Sequence, residues 1–164
     1  LDTAEQPQHN GTDHAGEGGL YRLEEPFVTL GFFDELRGLG VKKLGVFTGR
    51  NRREVRQALE TLGYTRQSPF DVIVTSEEFS KPDPAALFYL ARVLGTTRGI
   101  YVGDTGDDLR LVQEHSKSAT KHDNTFISVM IATGQSADYF KRNGADVVLR
   151  TVGELPRLLD TEMS

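Results

Sequence analysis

Five residues stand at or just after the ends of three apolar runs, and their chemistry suits a phosphate group: Thr48, Gly49, Lys81, Asp104 and Asp108. A hydroxyl and neighbouring N–H groups can bind phosphoryl oxygens, and a lysine ammonium can neutralise them. Paired carboxylates suit Mg²⁺, which takes one or two of them together with waters and substrate phosphate. Since phosphoryl transfer depends mainly on positioning and charge neutralisation, this set is compatible with it.

Each of the three segments also has a purely structural interpretation. Residues 48–49 are typical of a turn after a strand. Residues 81–84, Lys-Pro-Asp-Pro, could be only a rigid loop that begins a helix. Residues 103–108 could be only a capping turn, with Thr105 or Asp107 as the N-cap. Their order along the chain and their shared position after strands favour a site, because three such coincidences are improbable.

The elements that must position these residues alternate along the chain. Apolar residues at helical spacing predict helices over residues 26–39, 52–62, 84–94, 108–115, 136–143 and 152–159. Short apolar runs predict strands over residues 43–47, 70–74, 99–102, 126–131 and 146–149. This alternation predicts an α/β fold, a Rossmann-like parallel sheet with helices on both faces. Ligands of such sheets bind at the carboxyl ends of the strands, so the polar residues are expected along one edge.

The three segments resemble motifs of the haloacid dehalogenase superfamily of phosphatases and phosphomutases. Residues 46–50, Val-Phe-Thr-Gly-Arg, look like its second motif, an apolar strand that ends in Thr or Ser. Residues 81–84 look like its third motif, in the form common among phosphoglycolate-phosphatase-like members. Residues 101–108 look like its fourth motif, Gly-Asp-Ser/Thr-x-x-Asp. The resemblance runs from about Pro26 to the C-terminus.

The resemblance implies a role for each of the five residues. Thr48, with Gly49, would bind the phosphoryl group, and Lys81 would hold both the nucleophile and the phosphoryl oxygens. Thr48 and Lys81 are therefore the expected catalytic residues. Asp104 and Asp108 would hold Mg²⁺, with Asp104 as the direct ligand. The implied activity is a magnesium-dependent phosphatase of a small phosphorylated metabolite, acting through an aspartyl-phosphate.

The family's first motif, Asp-x-Asp at the end of an apolar strand, has no counterpart upstream of Thr48. Asp2 and Asp13 lie in polar surroundings, and Asp34 lies on a predicted helix beside Glu35. None is fixed against an acid–base partner as an activated nucleophile must be. We therefore expect the nucleophile to lie outside this chain, and the chain by itself to be inactive.

In the family, the strand of the first motif lies between the strands of the second and fourth motifs. Without it the sheet has two unpaired edges, and buried backbone groups without partners are not tolerated. Either the two strands pair directly or another polypeptide supplies the missing one, and we expect the latter. Residues 21–164 would then be the C-terminal portion of the α/β core, without the family's cap, and residues 1–20 a flexible tail or linker remnant. A homo-oligomer is the other expected partner.

Composition excludes several classes of function. The formal net charge of −5 argues against nucleic-acid binding, which needs a basic surface. The absence of cysteine excludes disulfides and thiolate sites. No apolar run approaches the roughly 20 residues of a membrane helix, and there is no signal-peptide pattern, so a cytoplasmic location without membrane contact is expected.

Two other functions stay open at this point. The chain could be a non-catalytic phosphate- and magnesium-binding or assembly module that has lost its nucleophile. A nucleotide-binding module is disfavoured, because neither Gly-x-Gly-x-x-Gly after a strand nor Gly-x-x-x-x-Gly-Lys-Ser/Thr occurs. The polar stretch 116–124 is expected to be a solvated loop, although Lys117, Lys121 and His122 are compatible with phosphate. Arg50, Arg52 and Arg53 are expected to form a solvated helix face, although Arg50 could contact an anionic group of a substrate.

Overall fold

The computed structural model describes residues 29–120 and 123–163. The helices of this part are α1 (Leu30–Gly38), α2 (Arg52–Thr61), α3 (Ala85–Leu94), α4 (Gly106–Ser118), α5 (Gly134–Arg142) and α6 (Leu155–Met163), the last preceded by a 3₁₀ turn (Val152–Glu154). The strands are β1 (Gly45–Phe47), β2 (Val72–Val74), β3 (Arg98–Gly103), β4 (Thr125–Ile131) and β5 (Val147–Leu149). Each predicted helix and strand is confirmed, while the predicted tail and the first three residues of the first predicted helix lie outside the described residues.

The strands form two parallel sheets. β1 pairs with β2, with Phe47 opposite Val74, while β3, β4 and β5 follow one another in a second sheet. Within the described residues no hydrogen-bonded ladder joins β1 to β3. Both sheets nevertheless share one core, because Phe47 and Val74 pack with Leu111 of α4, and Tyr101 of β3 packs against the same cluster. The two strands are thus held in one domain without pairing directly.

Helices cover both faces of the sheets. Val129 of β4 packs with Phe33 of α1 and Leu155 of α6, and apolar residues of α2 join that cluster. The next residue, Met130, points to the opposite face and packs with Phe140 of α5. Helices α3 and α4 lie on this second face. Successive residues of β4 thus contact helices on opposite faces of the sheet. A parallel sheet covered by helices on both faces is the predicted Rossmann-like α/β architecture.

Two capping boxes fix where the helices after β1 and β3 begin. The side chain of Asn51 accepts a hydrogen bond from the backbone N–H of Glu54, whose carboxylate accepts one from the N–H of Asn51. Thr105 and Asp108 form the same reciprocal pair at the start of α4. Each box satisfies N–H groups that a helix leaves unpaired in its first turn. Both helices therefore begin directly at the edge where the predicted site residues lie.

The polar stretch after the fourth motif is shorter than predicted. Residues 116–118 belong to α4, so the prediction of a loop from Ser116 is wrong there. Because α4 has 13 residues and rises by about 1.5 Å per residue, it carries its C-terminal end to the opposite edge of the sheet. Lys117 lies there and pairs with Glu114 at 2.7 Å. Lys121 and His122 lie outside the described residues.

Among residues 29–120 and 123–163, none of the helices combines the length and the apolar character that crossing a bilayer requires.

Candidate active site

Thr48 lies directly after β1 and is half-buried. Its N–H donates to the carbonyl oxygen of Val74 at 3.0 Å, and its hydroxyl accepts from the N–H of Arg50 at 3.2 Å. The N–H of Ser76 in turn donates to the carbonyl oxygen of Arg50 at 3.0 Å. Gly49 is exposed, and a Cβ there would meet nothing within 4 Å. The predicted phosphate-binding turn is therefore held by backbone contacts to the neighbouring loop and is open beside Gly49.

An ion pair joins the same two loops on their outer side. The guanidinium of Arg52 contacts the carboxylate of Glu78, whose other oxygen accepts from the hydroxyl of Thr75 at 2.5 Å and from its N–H at 2.8 Å. The hydrogen bonds from the Thr75 hydroxyl, then from its N–H, then from Arg52 lower the pKa of Glu78 to about 2. The loop that leads from β2 to Lys81 is thus anchored to the start of α2.

Lys81 lies between the two sheets. Its ammonium nitrogen is 5.4 Å from the centre of the Phe47 ring on β1 and 5.9 Å from the centre of the Tyr101 ring on β3. The same nitrogen lies 2.6 Å from Oδ1 of Asp108. The Lys81 side chain is only 20% exposed. The cation predicted from residues 81–84 is therefore placed at the junction of β1 and β3, paired with a carboxylate of the fourth motif.

Asp108 is 2% exposed, and protein groups contact both of its oxygens. Oδ1 accepts from Lys81 and from the Tyr101 hydroxyl, each at 2.6 Å. Oδ2 accepts from the hydroxyl of Thr105 at 2.6 Å, from its N–H at 3.1 Å and from the N–H of Asp104 at 3.3 Å. Burial alone would raise the pKa of Asp108, but the hydrogen bonds from Lys81, Thr105 and Tyr101 outweigh it and lower the pKa.

Tyr101 is a site residue that sequence reasoning missed. The sequence pattern indicates only a strand residue at the start of the fourth motif, yet the Tyr101 hydroxyl donates to the buried carboxylate of Asp108. Burial, and then the hydrogen bond to Asp108, raise the pKa of Tyr101. The available signal was a tyrosine within a strand that leads straight into Gly103 and Asp104, because a buried tyrosine hydroxyl usually needs a polar partner.

Gly103 is required by the burial of Asp108. A Cβ at this position would lie 2.4 Å from Cβ and 2.6 Å from Cγ of Asp108. Such distances cannot be accommodated without moving the carboxylate. Position 103 therefore requires glycine, because any larger residue would collide with the first turn of α4.

Asp104 differs from Asp108 in its environment. Its side chain is exposed, and within the described residues no hydrogen bond reaches its carboxylate. Asp107, also exposed, faces Arg110 at 3.6 Å. The described residues contain no group of three or more His, Cys, Asp and Glu placed to hold a metal ion. Asp104 fits Mg²⁺ as a single carboxylate ligand, since Mg²⁺ takes one or two carboxylates and completes its shell with water and phosphate.

The structure thus brings three of the five predicted residues into one contact network. Lys81 and Asp108 pair directly, and the backbone of Asp104 joins them through Asp108. Thr48 follows Phe47, whose ring lies under Lys81. Binding of a metal by Asp108 stays a prediction; its hydrogen bonds in the structure hold Lys81, Tyr101 and the start of α4. The assembled set is a cation, a free carboxylate and a hydroxyl at the carboxyl ends of β1 and β3.

Comparisons with known proteins agree with this fold. The sequence profile of a haloacid dehalogenase-like hydrolase matches residues 20–114. The chain belongs to that family. It is 32% identical to the phosphatase Tt82 from Thermococcus thioreducens, with a TM-score of 0.57 over 83% of this chain and 46% of that one. No curated protein sequence matches the chain significantly.

Two further structures share the fold at lower identity. A haloacid dehalogenase-like protein of unknown function from Agrobacterium tumefaciens is 14% identical, with a TM-score of 0.65 over 88% of this chain and 64% of that one. A hydrolase of the same superfamily from Ehrlichia chaffeensis is 13% identical, with a TM-score of 0.57 over 82% of this chain and 57% of that one. The chain therefore spans between 46% and 64% of the length of these three proteins.

Proposed function

We propose that this chain supplies the phosphate- and magnesium-binding half of a phosphatase that acts on a small phosphorylated metabolite. The observation that carries the proposal is the Lys81–Asp108 pair, 2.6 Å apart, beside the free carboxylate of Asp104. A buried acid that holds a lysine at the carboxyl ends of two parallel strands gives a fixed positive charge where α/β proteins bind ligands. The 32% identity to a phosphatase supports the same reaction class.

In this proposal each residue acts on the phosphoryl group in its own way. The Lys81 ammonium neutralises phosphoryl oxygens while Asp108 and Tyr101 hold it in place. The Thr48 hydroxyl and the open backbone at Gly49 bind a second oxygen. Asp104 would hold Mg²⁺, which when bound adds charge neutralisation at the phosphate. Positioning and electrostatic complementarity are the main requirements of phosphoryl transfer, and this set supplies both.

The nucleophile of this proposal is an aspartate carried by a strand between β1 and β3. The sequence contains no Asp-x-Asp, so these residues do not supply it. The two strands flank Lys81 without pairing with each other. On β3 the apolar residues Ile100 and Val102 are 37% and 36% exposed. Central strands of covered parallel sheets are apolar on both faces, so this edge suits one more strand. The aspartate would accept the phosphoryl group from the substrate oxygen, and water would then hydrolyse the aspartyl-phosphate.

A second candidate function is a non-catalytic phosphate- and magnesium-binding or assembly module. The same two observations favour it: the missing Asp-x-Asp, and facing edges of β1 and β3 that no strand among the described residues pairs with. In this alternative the edges pair with another chain, a partner or a second copy, without restoring catalysis. The two functions share phosphate binding and differ in turnover.

Phosphate binding is tested on the chain as it stands. Titration with inorganic phosphate, followed by ³¹P NMR and calorimetry, should show binding that Mg²⁺ strengthens. Asp104→Asn should remove the effect of Mg²⁺, and Lys81→Met should weaken binding with or without Mg²⁺. Asp107→Asn is the matched control, because Asp107 is an exposed acid three residues further on. An unchanged magnesium effect in Asp104→Asn, or no phosphate binding at all, would overturn the assigned site.

Turnover separates the two functions. In a form of the protein that carries the aspartate strand, p-nitrophenyl phosphate should be hydrolysed, and Asp104→Asn should lower kcat by about 100-fold or more, in line with the loss of a transition-state charge stabiliser. Phosphate binding by that form without turnover would favour the non-catalytic module. Normal turnover by its Asp104→Asn variant would disprove the phosphatase mechanism proposed above.

A further inference from the structure

A cavity of about 560 Å³ lies along the outer edge of β2. Helix α2 lines one side with a stripe of residues at positions i, i+3, i+4 and i+7: Arg52, Val55, Arg56 and Leu59. Tyr89 of α3 lines the other side, and Ile73 of β2 lies between them. Within the described residues β2 pairs only with β1, so its outer edge faces this cavity. The volume is that of an ordinary small-molecule site.

One of the charges that line the cavity takes part in no ion pair within the described residues. Three lining residues are charged: Arg52, Arg56 and Glu78. Arg52 and Glu78 form an ion pair, and a second acid, Glu77, lies 3.5 Å from Arg52. No hydrogen bond or ion pair is formed by Arg56 within residues 29–120 and 123–163, and its side chain is exposed. The Arg56 guanidinium, which forms no ion pair within the described residues, therefore lines the cavity and can pair with a ligand that carries a single negative charge.

The rest of the lining is apolar with a few hydroxyl groups. Val55, Leu59 and Ile73 are half-buried, and Tyr64 is 7% exposed. Thr65 and Ser68 contribute exposed hydroxyl groups at the rim. A concave apolar lining with few polar groups that fix orientation is typical of sites for small organic ligands. A free inorganic anion would leave the apolar part of the cavity unfilled.

We infer that this cavity binds a small amphipathic monoanion, a carboxylate or sulfonate on an apolar ring system. Its acidic group pairs with Arg56, and its ring system packs between Leu59, Ile73 and Tyr89. The cavity shares no residue with the cluster of Lys81, Asp104 and Asp108. The inference is therefore independent of the phosphatase proposal and is tested separately.

Two nearly isosteric probes test the inference: 2-naphthoate, which carries one negative charge, and 2-naphthamide, which carries none. Each is titrated into the ¹⁵N-labelled chain, and amide shifts are followed by NMR while affinity is measured by calorimetry. 2-Naphthoate should bind saturably at one site and shift the amides of Tyr64, Thr65 and Ser68. 2-Naphthamide should bind about tenfold more weakly, because a charge-assisted hydrogen bond is roughly twice as strong as a neutral one.

Arg56→Gln should weaken 2-naphthoate binding by about tenfold and remove the difference between the two probes. Arg53→Gln is the matched control, since Arg53 is exposed on the same helix and does not line the cavity. It should change the affinity by less than twofold. Ile73→Phe, which fills the cavity with a larger apolar side chain, should block both probes.

Three results would overturn the inference. The first is the absence of saturable binding of 2-naphthoate at millimolar concentration. The second is a set of shifts confined to the exposed apolar residues Ile100, Val102 and Ile127. The third is equal binding by the parent chain and Arg56→Gln. Because Arg56 is exposed and forms no hydrogen bond or ion pair in the described part of the chain, its substitution should not disturb folding, and the far-ultraviolet circular dichroism of the variant verifies this.

Discussion

The ammonium nitrogen of Lys81 lies 2.6 Å from Oδ1 of Asp108, although the two residues are 27 positions apart in the chain. The pair connects the loop after β2 with the first turn of α4. Its lysine also lies over Phe47 of β1 and Tyr101 of β3. One ion pair thus joins the two sheets at the edge where phosphate is expected to bind, and its contribution to stability can be measured.

Removing Lys81 alone should be costly. Lys81→Met leaves the 2%-exposed carboxylate of Asp108 without its cation, and we expect the free energy of unfolding to fall by about 3 kcal/mol. Asp108→Asn keeps the side-chain shape and one acceptor oxygen but loses the charge. In the double variant the losses should not add, with a coupling energy of about 1–3 kcal/mol. Urea unfolding of the four proteins gives this value, and strictly additive losses would show that the pair is not coupled.

Gly103→Ala should destabilise the site through a steric conflict. The added Cβ would lie 2.4 Å from Cβ of Asp108, so the first turn of α4 must shift, at a cost of about 2 kcal/mol. The control is Gly38→Ala at the end of α1, where a Cβ meets nothing within 4 Å and the change should be neutral or stabilise by about 0.5 kcal/mol. Thermal unfolding of both variants measures the contrast. Equal melting temperatures would argue against the close approach at Gly103.

Glu78 should make the protein sensitive to acid below pH 4.5. Its folded-state pKa of about 2 lies below the ordinary value of 4.5, so the stability it contributes is present above pH 4.5 and is lost as the pH falls toward 2. Glu78→Gln should therefore be less stable than the parent chain at pH 6, and the difference should shrink toward pH 3. Glu60→Gln, an exposed acid on α2, should show a smaller change. Unfolding by urea across this range tests both variants, and a pH-independent deficit in Glu78→Gln would contradict the assignment.

His115 should add a second loss of stability at mildly acidic pH. His115 is completely buried between Phe88 and Phe126. Its Nε2 lies 2.7 Å from the side-chain oxygen of Asn124, and its Nδ1 has no hydrogen-bond partner in the described part of the chain. Burial lowers its pKa below 6.5, more than the Asn124 hydrogen bond and Asp123 raise it. The unfolded chain therefore binds the proton first, and stability falls as the pH drops below 6.5.

The matching variant is His115→Phe, which cannot take up a proton. The free energy of unfolding should depend less steeply on pH between 6.5 and 5 in this variant than in the parent chain. The other histidines are present in both proteins, so the difference in slope isolates His115. Identical slopes would mean that His115 is protonated equally in the folded and unfolded states.

The sequence by itself determined the elements and the polar segments that end them. Helical spacing of apolar residues and short β-branched runs are local signals, so the positions of β1, β3 and α4 could be predicted to within a few residues. The rule that ligands gather at the carboxyl ends of parallel strands then placed Lys81 and Asp104 at one edge.

Only the tertiary structure decided how those residues differ. The sequence assigns both Asp104 and Asp108 to Mg²⁺, with Asp104 as the direct ligand. The fold buries Asp108 against Lys81 and Tyr101 and leaves Asp104 exposed. Tyr101 enters the site and Lys117 is carried away from it by the length of α4. The absence of a hydrogen-bonded ladder between β1 and β3 among the described residues likewise depends on how the strands pair in space. Burial and hydrogen bonding join residues far apart in the chain, and no local pattern of residue types encodes them.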